Sequence, residues 1–168
     1  MLLWLTLALL WSSTCWAGQT FGCGKGKHFS ISRGNEDELT GIRVYTSPMG
    51  LIKSIQLRYG SSWSGQHGIP GGKSHELLLQ PGEHITKIYG TYRRFIQHLT
   101  IFTDRNGQAS FGKKIGVGFW ATPDRKGKVL SGVHGRHQRH GLTSIGFLWD
   151  YPQGGMTSTQ KMSAVSKK

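Results

Sequence analysis

Acidic residues are scarce in this chain of 168 residues: 8 Asp and Glu stand against 21 Lys and Arg, a formal charge of +13. Only 17% of the residues are charged, so the basicity reflects missing acids rather than surplus bases. Cysteine is limited to 2 residues, which excludes a disulfide-dense scaffold. No apolar run after Trp11 is long enough to span a bilayer. N-glycosylation sequons are missing, since Asn35 precedes Glu36-Asp37 and Asn106 precedes Gly107-Gln108. The 25 glycines follow no Gly-X-Y period, which excludes collagen and favours a turn-rich β domain.

What is present suffices for one core. Apolar residues make up 36% of the chain, with 6 Trp, 5 Tyr and 7 Phe, too many aromatics for general disorder. Met1 to Trp11 is almost wholly apolar, is followed by Ser12, Ser13 and Thr14, and leads to small residues at Ala17 and Gly18. This reads as a secretory signal peptide over residues 1–17, cut after Ala17, and implies a secreted protein that reaches the exterior through secretory granules. Removal of Cys15 with that segment leaves Cys23 alone, to pair between chains as a dimer or to stay buried.

The remainder reads as strands separated by turns. Ile42 to Tyr45 and Ile52 to Tyr59 alternate, and Ile85 to Tyr89 and Leu99 to Phe102 are β-branched and aromatic. Val129 to Val133 and Leu142 to Trp149 complete the set. Turns are marked at Pro48-Met49-Gly50, Pro70-Gly71-Gly72, Pro81-Gly82 and Asp124 to Gly127, and Asn106-Gly107 marks a hairpin. An Ile-x-x-Ile motif recurs: Ile52 with Ile55, Ile85 with Ile88, and, as Leu-x-x-Ile, Leu142 with Ile145. Three similar strand openings predict a pseudo-threefold architecture. Trp63 and Trp120 are expected in the core or at its rim, and Trp149 in the core. Glu36-Asp37-Glu38 is read as a solvated loop offsetting Arg33 and Arg43. Residues 152–168 are polar and basic and are read as a flexible tail, which leaves 18–151 as the folded domain.

The order of these segments carries a resemblance. Gly22-Cys23-Gly24-Lys25-Gly26-Lys27-His28-Phe29-Ser30 resembles the glycine-rich first loop of the jacalin-related lectins. Leu39 to Val44, Ile55 to Gly60, Leu79 to Ile85, Ile101 to Asp104, Phe111 to Lys113 and Ser144 to Asp150 fit the strand pattern of the same family, and within it of the mammalian zymogen granule protein 16 group. The resemblance implies an all-β fold, a β-prism I of three Greek-key sheets, with no enzymatic activity and no cofactor. It implies a sugar site at one end of the prism, formed by the glycine-rich loop, a recognition loop and a last loop carrying G-x-x-x-D. In such a site the Asp accepts strong charge-assisted bonds from sugar hydroxyls.

Only part of that set is kept. Gly24 and Gly26 match, while Lys25 stands where glycine is usual. Gly90 to Phe95 matches the recognition loop, with Tyr92 as the stacking residue and Arg93 beside it. Thr143 occupies the Asp position and Arg139 the Gly position. The segment Val133 to Gly141, read as a loop, contains Arg136, Arg139 and three histidines but no acid. The expected carbohydrate-binding residues are therefore Gly24, Lys25, Gly26, Tyr92, Arg93, Arg136, Arg139 and Thr143. Loss of the acid should weaken neutral mannosides, and the added base should favour sulfated or otherwise anionic glycans without calcium. Charge is also uneven along the chain: residues 1–104 carry a net +4 and residues 105–168 a net +9.

His134, His137 and His140 lack a neighbouring carboxylate or thiolate and have Arg136 and Arg139 between them, which argues against a metal site. The reference pKa of imidazole, ~6.5, makes the same histidines a candidate pH switch, expected to tighten anion binding as pH falls. Partners of the right charge are sulfated proteoglycans, acidic mucins and bacterial envelope polymers. Export and the lack of a nucleic-acid motif argue against specific nucleic acid. Two other classes fit the composition: a signalling factor that meets a protein receptor and uses glycan as an anchor, and a granule-packaging protein that cross-links polyanions.

Overall fold

The computed structural model describes residues 19–34 and 37–153. The segment read as a signal peptide, Glu36 and nearly all of the segment read as a tail lie outside the described residues. Among those described, thirteen strands form and no helix does: β1 Thr20–Gly22, β2 Lys27–Ser32, β3 Leu39–Thr46, β4 Ile52–Tyr59, β5 Ser62–Trp63, β6 His67–Gly68 and β7 Lys73–Leu78. They continue with β8 Ile85–Tyr92, β9 Ile96–Thr103, β10 Gln108–Gly112, β11 Val117–Ala121, β12 Val129–Gln138 and β13 Gly141–Asp150.

These strands make three antiparallel sheets. The first has the order β1-β13-β12-β2, so the two ends of the domain close one sheet. The second is β5-β4-β3-β7, with β6 also paired to β4, and the third is β10-β9-β8-β11. Each sheet is a central hairpin (β12–β13, β3–β4 or β8–β9) flanked by outer strands. The arrangement is the β-prism that the resemblance implies, with the threefold repetition of sheets that the strand openings predict.

The repeat itself needs one correction. Ile52, Ile55 and Leu57 on β4 and Leu142, Ile145 and Phe147 on β13 point into the core, at 0–2% exposure. The third member is not Ile85-x-x-Ile88, because β8 runs antiparallel to the strand that matches them. It is Ile96, Leu99 and Ile101 on β9, all fully buried. β4, β9 and β13 pack against one another along the prism axis. Three apolar faces therefore meet and hide one another, which is the main stabilisation of the fold.

The seams are closed by matching contacts. Phe21 stacks on Phe119 at 4.3 Å and 9°, joining the first sheet to the third. Tyr59 donates its hydroxyl to the Ser131 carbonyl at 2.7 Å, joining the second to the first, and burial pushes its pKa up to about 12. His75 meets Phe111 at 6.4 Å between the second and third.

The expectation for the tryptophans holds only in part. Trp149 packs on the core and Trp63 lies half-buried beneath the Arg43 guanidinium at 4.0 Å. Trp120 is 54% exposed, because it points outward from the edge strand β11 while Phe119 points in. Arg33 pairs with Asp150 and Arg43 with Glu76, not with Asp37 or Glu38.

Candidate carbohydrate-binding site

Each sheet carries a β-bulge at the same place. The register skips Thr143 between Leu142 and Ser144, Lys53 between Ile52 and Ser54, and Gln97 between Ile96 and His98. The carbonyl of each bulge residue accepts a backbone N–H from the loop beside it: Cys23 to Thr143 at 2.8 Å, Ile69 to Lys53 at 3.0 Å, and Lys113 to Gln97 at 2.9 Å. Those loops are Gly22 to Gly26, Gly68 to Gly72 and Gly112 to Gly116, each with the pattern G-x-x-x-G.

The terminal glycines are required by the backbone. Gly22, Gly68 and Gly112 have φ of +108°, +123° and +79°, and a Cβ on them would lie 2.1–2.4 Å from the bulge carbonyl. Gly26, Gly72 and Gly116 likewise have positive φ and approach the carbonyls of His137, Thr46 and Tyr92. Glycine is the residue that tolerates both conditions. The three loops, together with the three central hairpin turns, lie at one end of the prism, here termed the glycine-loop end.

The expected site residues are divided among these loops. Gly24 and Lys25 are exposed between β1 and β2, and nothing lies within 4 Å of where a Gly24 Cβ would be. Arg136 reaches the same loop and donates to the Gly26 carbonyl at 2.9 Å. Arg139 is exposed in the β12–β13 turn and Arg93 in the β8–β9 turn. Those two turns touch through Phe95 and His140, whose rings meet edge-on at 6.1 Å. Tyr92 ends β8 half-buried, with its ring 6.2 Å from Phe119 at the edge of the core.

Thr143 departs from the expected role. It is 1% exposed, and its hydroxyl donates to the Lys25 carbonyl at 2.5 Å. It ties the last strand to the first loop instead of offering its hydrogen to solvent. The segment read as a loop from Val133 to Gly141 is also corrected: β12 continues to Gln138, paired on both sides up to His137, and only Arg139 and His140 turn. Gly90 to Tyr92 is likewise strand, leaving Arg93 to Phe95 as the turn. Cys23 is exposed in its loop, as its glycine neighbours lead one to expect.

The charges are segregated by topology. Lys25, Arg93, Arg94, Lys113, Lys114 and Arg139 occupy the loops of the glycine-loop end, with Lys27, Lys53, Lys73 and Arg136 on the adjoining strand residues. No described acid lies at that end. Asp37, Glu38, Glu83, Asp104, Asp124 and Asp150 all fall in or beside the loops of the opposite end, and Glu76 lies within β7. Accordingly Arg33–Asp150, His84–Asp104 and Lys128–Asp124 form at the opposite end, at 3.4, 3.0 and 3.1 Å. Sequence order hid this pattern, because the acids are spread along the chain and only antiparallel pairing gathers them.

The histidines do not converge. The His134 ring lies where a Gly146 Cβ would be, His137 packs near Phe29, and His140 meets Phe95. No group of three or more metal-binding side chains occurs among the described residues. Burial holds His134 below the ordinary imidazole range, with His28 adding repulsion. Burial does the same for His137, helped by Lys27 and His67. A separate groove of about 560 Å³ near Phe21, Asp124 and Trp149 lies away from these loops.

Known proteins share this architecture. Residues 18–148 match the Jacalin-like lectin domain. The chain is 35% identical over 150 residues to prostatic spermine-binding protein of Rattus norvegicus, covering 89% of this chain and 53% of that protein, so it spans about half of that relative's length. It is 34% identical over 142 residues to zymogen granule membrane protein 16 of Homo sapiens, covering 83% of each. The crystal structure of a prostate-specific WGA16 glycoprotein lectin superposes with a TM-score of 0.76 at 57% identity, over 81% of this chain and 99% of that one. The chain belongs to the jacalin-like lectin family of non-enzymatic carbohydrate-binding proteins.

Proposed function

We propose that this chain is an exported lectin that binds sulfated or otherwise anionic glycans at its glycine-loop end, without calcium. The observation that carries this reading is the segregation of charge: ten Lys and Arg side chains with no described acid among them. Such an end attracts polyanions and has no carboxylate competing for its bases. Lys25, Arg93, Arg136 and Arg139 supply the anion contacts, and guanidinium forks suit sulfate and carboxylate geometry. Gly24 and Gly26 allow the ligand close to backbone N–H groups. Thr143 positions the first loop, and Tyr92, half-buried at the end of β8, stacks on the sugar.

The bulge residue sits where the family's acid is expected. Here the three equivalent positions hold Thr143, Lys53 and Gln97, so none supplies a carboxylate. This argues against tight neutral mannoside binding at any of the three. Spermine, for which the rat relative is named, is a polycation and would be repelled from this end. The expected partners are sulfated proteoglycans, acidic mucins and bacterial envelope polymers.

A glycan array read at 50 and 300 mM salt tests the reading. Sulfated and carboxylated glycans should bind at low salt and lose much of their signal at high salt. Strong, salt-insensitive binding of neutral mannosides would overturn it.

A further inference from the structure

The outer face of the third sheet carries a feature that the glycine-loop end does not explain. Alternation along β8, β9 and β11 turns Tyr89, Phe102 and Trp120 outward. Their rings adjoin: Tyr89 lies 4.9 Å from Trp120, and Phe102 lies 5.8 Å from it. Three aromatics on a solvent-facing sheet are costly to leave in water, and Trp120 is 54% exposed.

Two lysines reach over these rings. The Lys87 ammonium sits 4.9 Å from the Phe102 centroid and 5.2 Å from that of Trp120. The Lys114 ammonium sits 4.9 Å from Tyr89. The rest of the face is polar and uncharged: His98, Thr100 and Ser110 form a hydrogen-bonded row at 2.7 and 2.9 Å. Thr91, at its upper margin, is 2% exposed with a hydroxyl that has no partner. No acid points outward from this sheet.

We propose that this face is a second saccharide-binding surface, an aromatic platform that continues the glycine-loop end and takes the same sulfated chain. An apolar sugar face stacks on Trp120 and Tyr89, and Lys87 and Lys114 pair with the sulfates on either side. A protein partner would demand a broad apolar area, whereas this face alternates rings with ammonium groups and hydroxyls. Lys114 links the two regions, because it lies in the Gly112 to Gly116 loop, and Gly116 packs beside Arg93. Lys87 lies within β8 and Arg93 just past its end, six residues on, about 20 Å along an extended chain. Only an extended oligosaccharide covers that distance.

The inference rests on the anionic-glycan reading but fails separately from it. Binding of a short and a long heparin fragment, a disaccharide and a dodecasaccharide, is measured for the native protein, Trp120→Ala, Lys87→Gln and the double variant Arg93→Ala/Arg139→Ala. The long fragment should bind Trp120→Ala and Lys87→Gln about tenfold more weakly than the native protein, with the short fragment unchanged. The indole N–H resonance of Trp120 should shift with the long fragment only. The double variant should lose both fragments. Equal affinity of the long fragment for the native, Trp120→Ala and Lys87→Gln proteins would overturn the platform and leave the glycine-loop end standing. Undiminished binding of both fragments by the double variant would overturn the glycine-loop end instead.

Discussion

The Thr143 hydroxyl donates to the Lys25 carbonyl at 2.5 Å, across 118 residues of sequence. With the Cys23 amide on the Thr143 carbonyl, it fixes the first loop against the last strand. At the position where the resemblance expects a sugar-binding acid, this chain has a loop-positioning hydroxyl. Thr143→Val keeps the shape and removes the donor. It should lower unfolding free energy by about 1 kcal/mol and speed amide exchange in Lys25 and Gly26, while Thr143→Ser restores both. Denaturant titration and hydrogen exchange read the result, and a Val variant as stable and protected as the native chain would remove the tether from the account.

The G-x-x-x-G loops give a sharper stability contrast. Gly68→Ala would place a Cβ 2.3 Å from the Lys53 carbonyl at φ +123° and should cost about 2–3 kcal/mol. Gly24→Ala has open space and should stay within about 0.5 kcal/mol of the native protein. Thermal or urea unfolding of the pair checks this, and equal stability of the two variants contradicts it.

Acid should weaken the free protein. Burial holds the imidazoles of His98, His134 and His137 below their ordinary range, so the folded state prefers them neutral. The unfolded chain then binds more protons, and stability falls as pH drops through about 6.5 toward the lower folded values. The urea midpoint should therefore be lower at pH 5 than at pH 7.5. Substituting His134 or His137 by Gln should flatten the change, and a midpoint that rises on acidification would reverse the sign.

Bound polyanion reverses the preference, because it favours protonated imidazole. Elution from a heparin column should need more salt at pH 5.5 than at pH 7.5. Elution at the same salt would show that the histidines do not report to the ligand.

Much of the fold was legible in the sequence because strand alternation and turn residues are local signals. The hairpin at Asn106-Gly107 formed where expected, with Asn106 at φ 59°. The true third repeat, Ile96-x-x-Leu99-x-Ile101, was obscured because strand direction is set by pairing, and Ile85-x-x-Ile88 mimics the pattern in the opposite direction. The paired glycines at 22 and 26, 68 and 72, and 112 and 116 were readable as a repeat, but their equivalence becomes plain only once the bulges align. Val133 to Gly141 looked like a loop because His, Arg and Gln are polar. Val133 to Gln138 is nevertheless strand, because β13 and, up to His137, β2 satisfy its backbone, and only Arg139 and His140 turn.

The central claim is that binding depends on where the charge lies, not on how much there is. Arg93→Glu/Arg139→Glu at the glycine-loop end and Arg125→Glu/Lys126→Glu at the opposite end change the net charge equally. Calorimetric titration with one sulfated oligosaccharide at 50 mM salt compares them. The account predicts that the first pair abolishes binding and the second leaves it within about threefold of the native protein. Equal losses in both would contradict it, making the ligand a counterion to the whole protein rather than the occupant of one end.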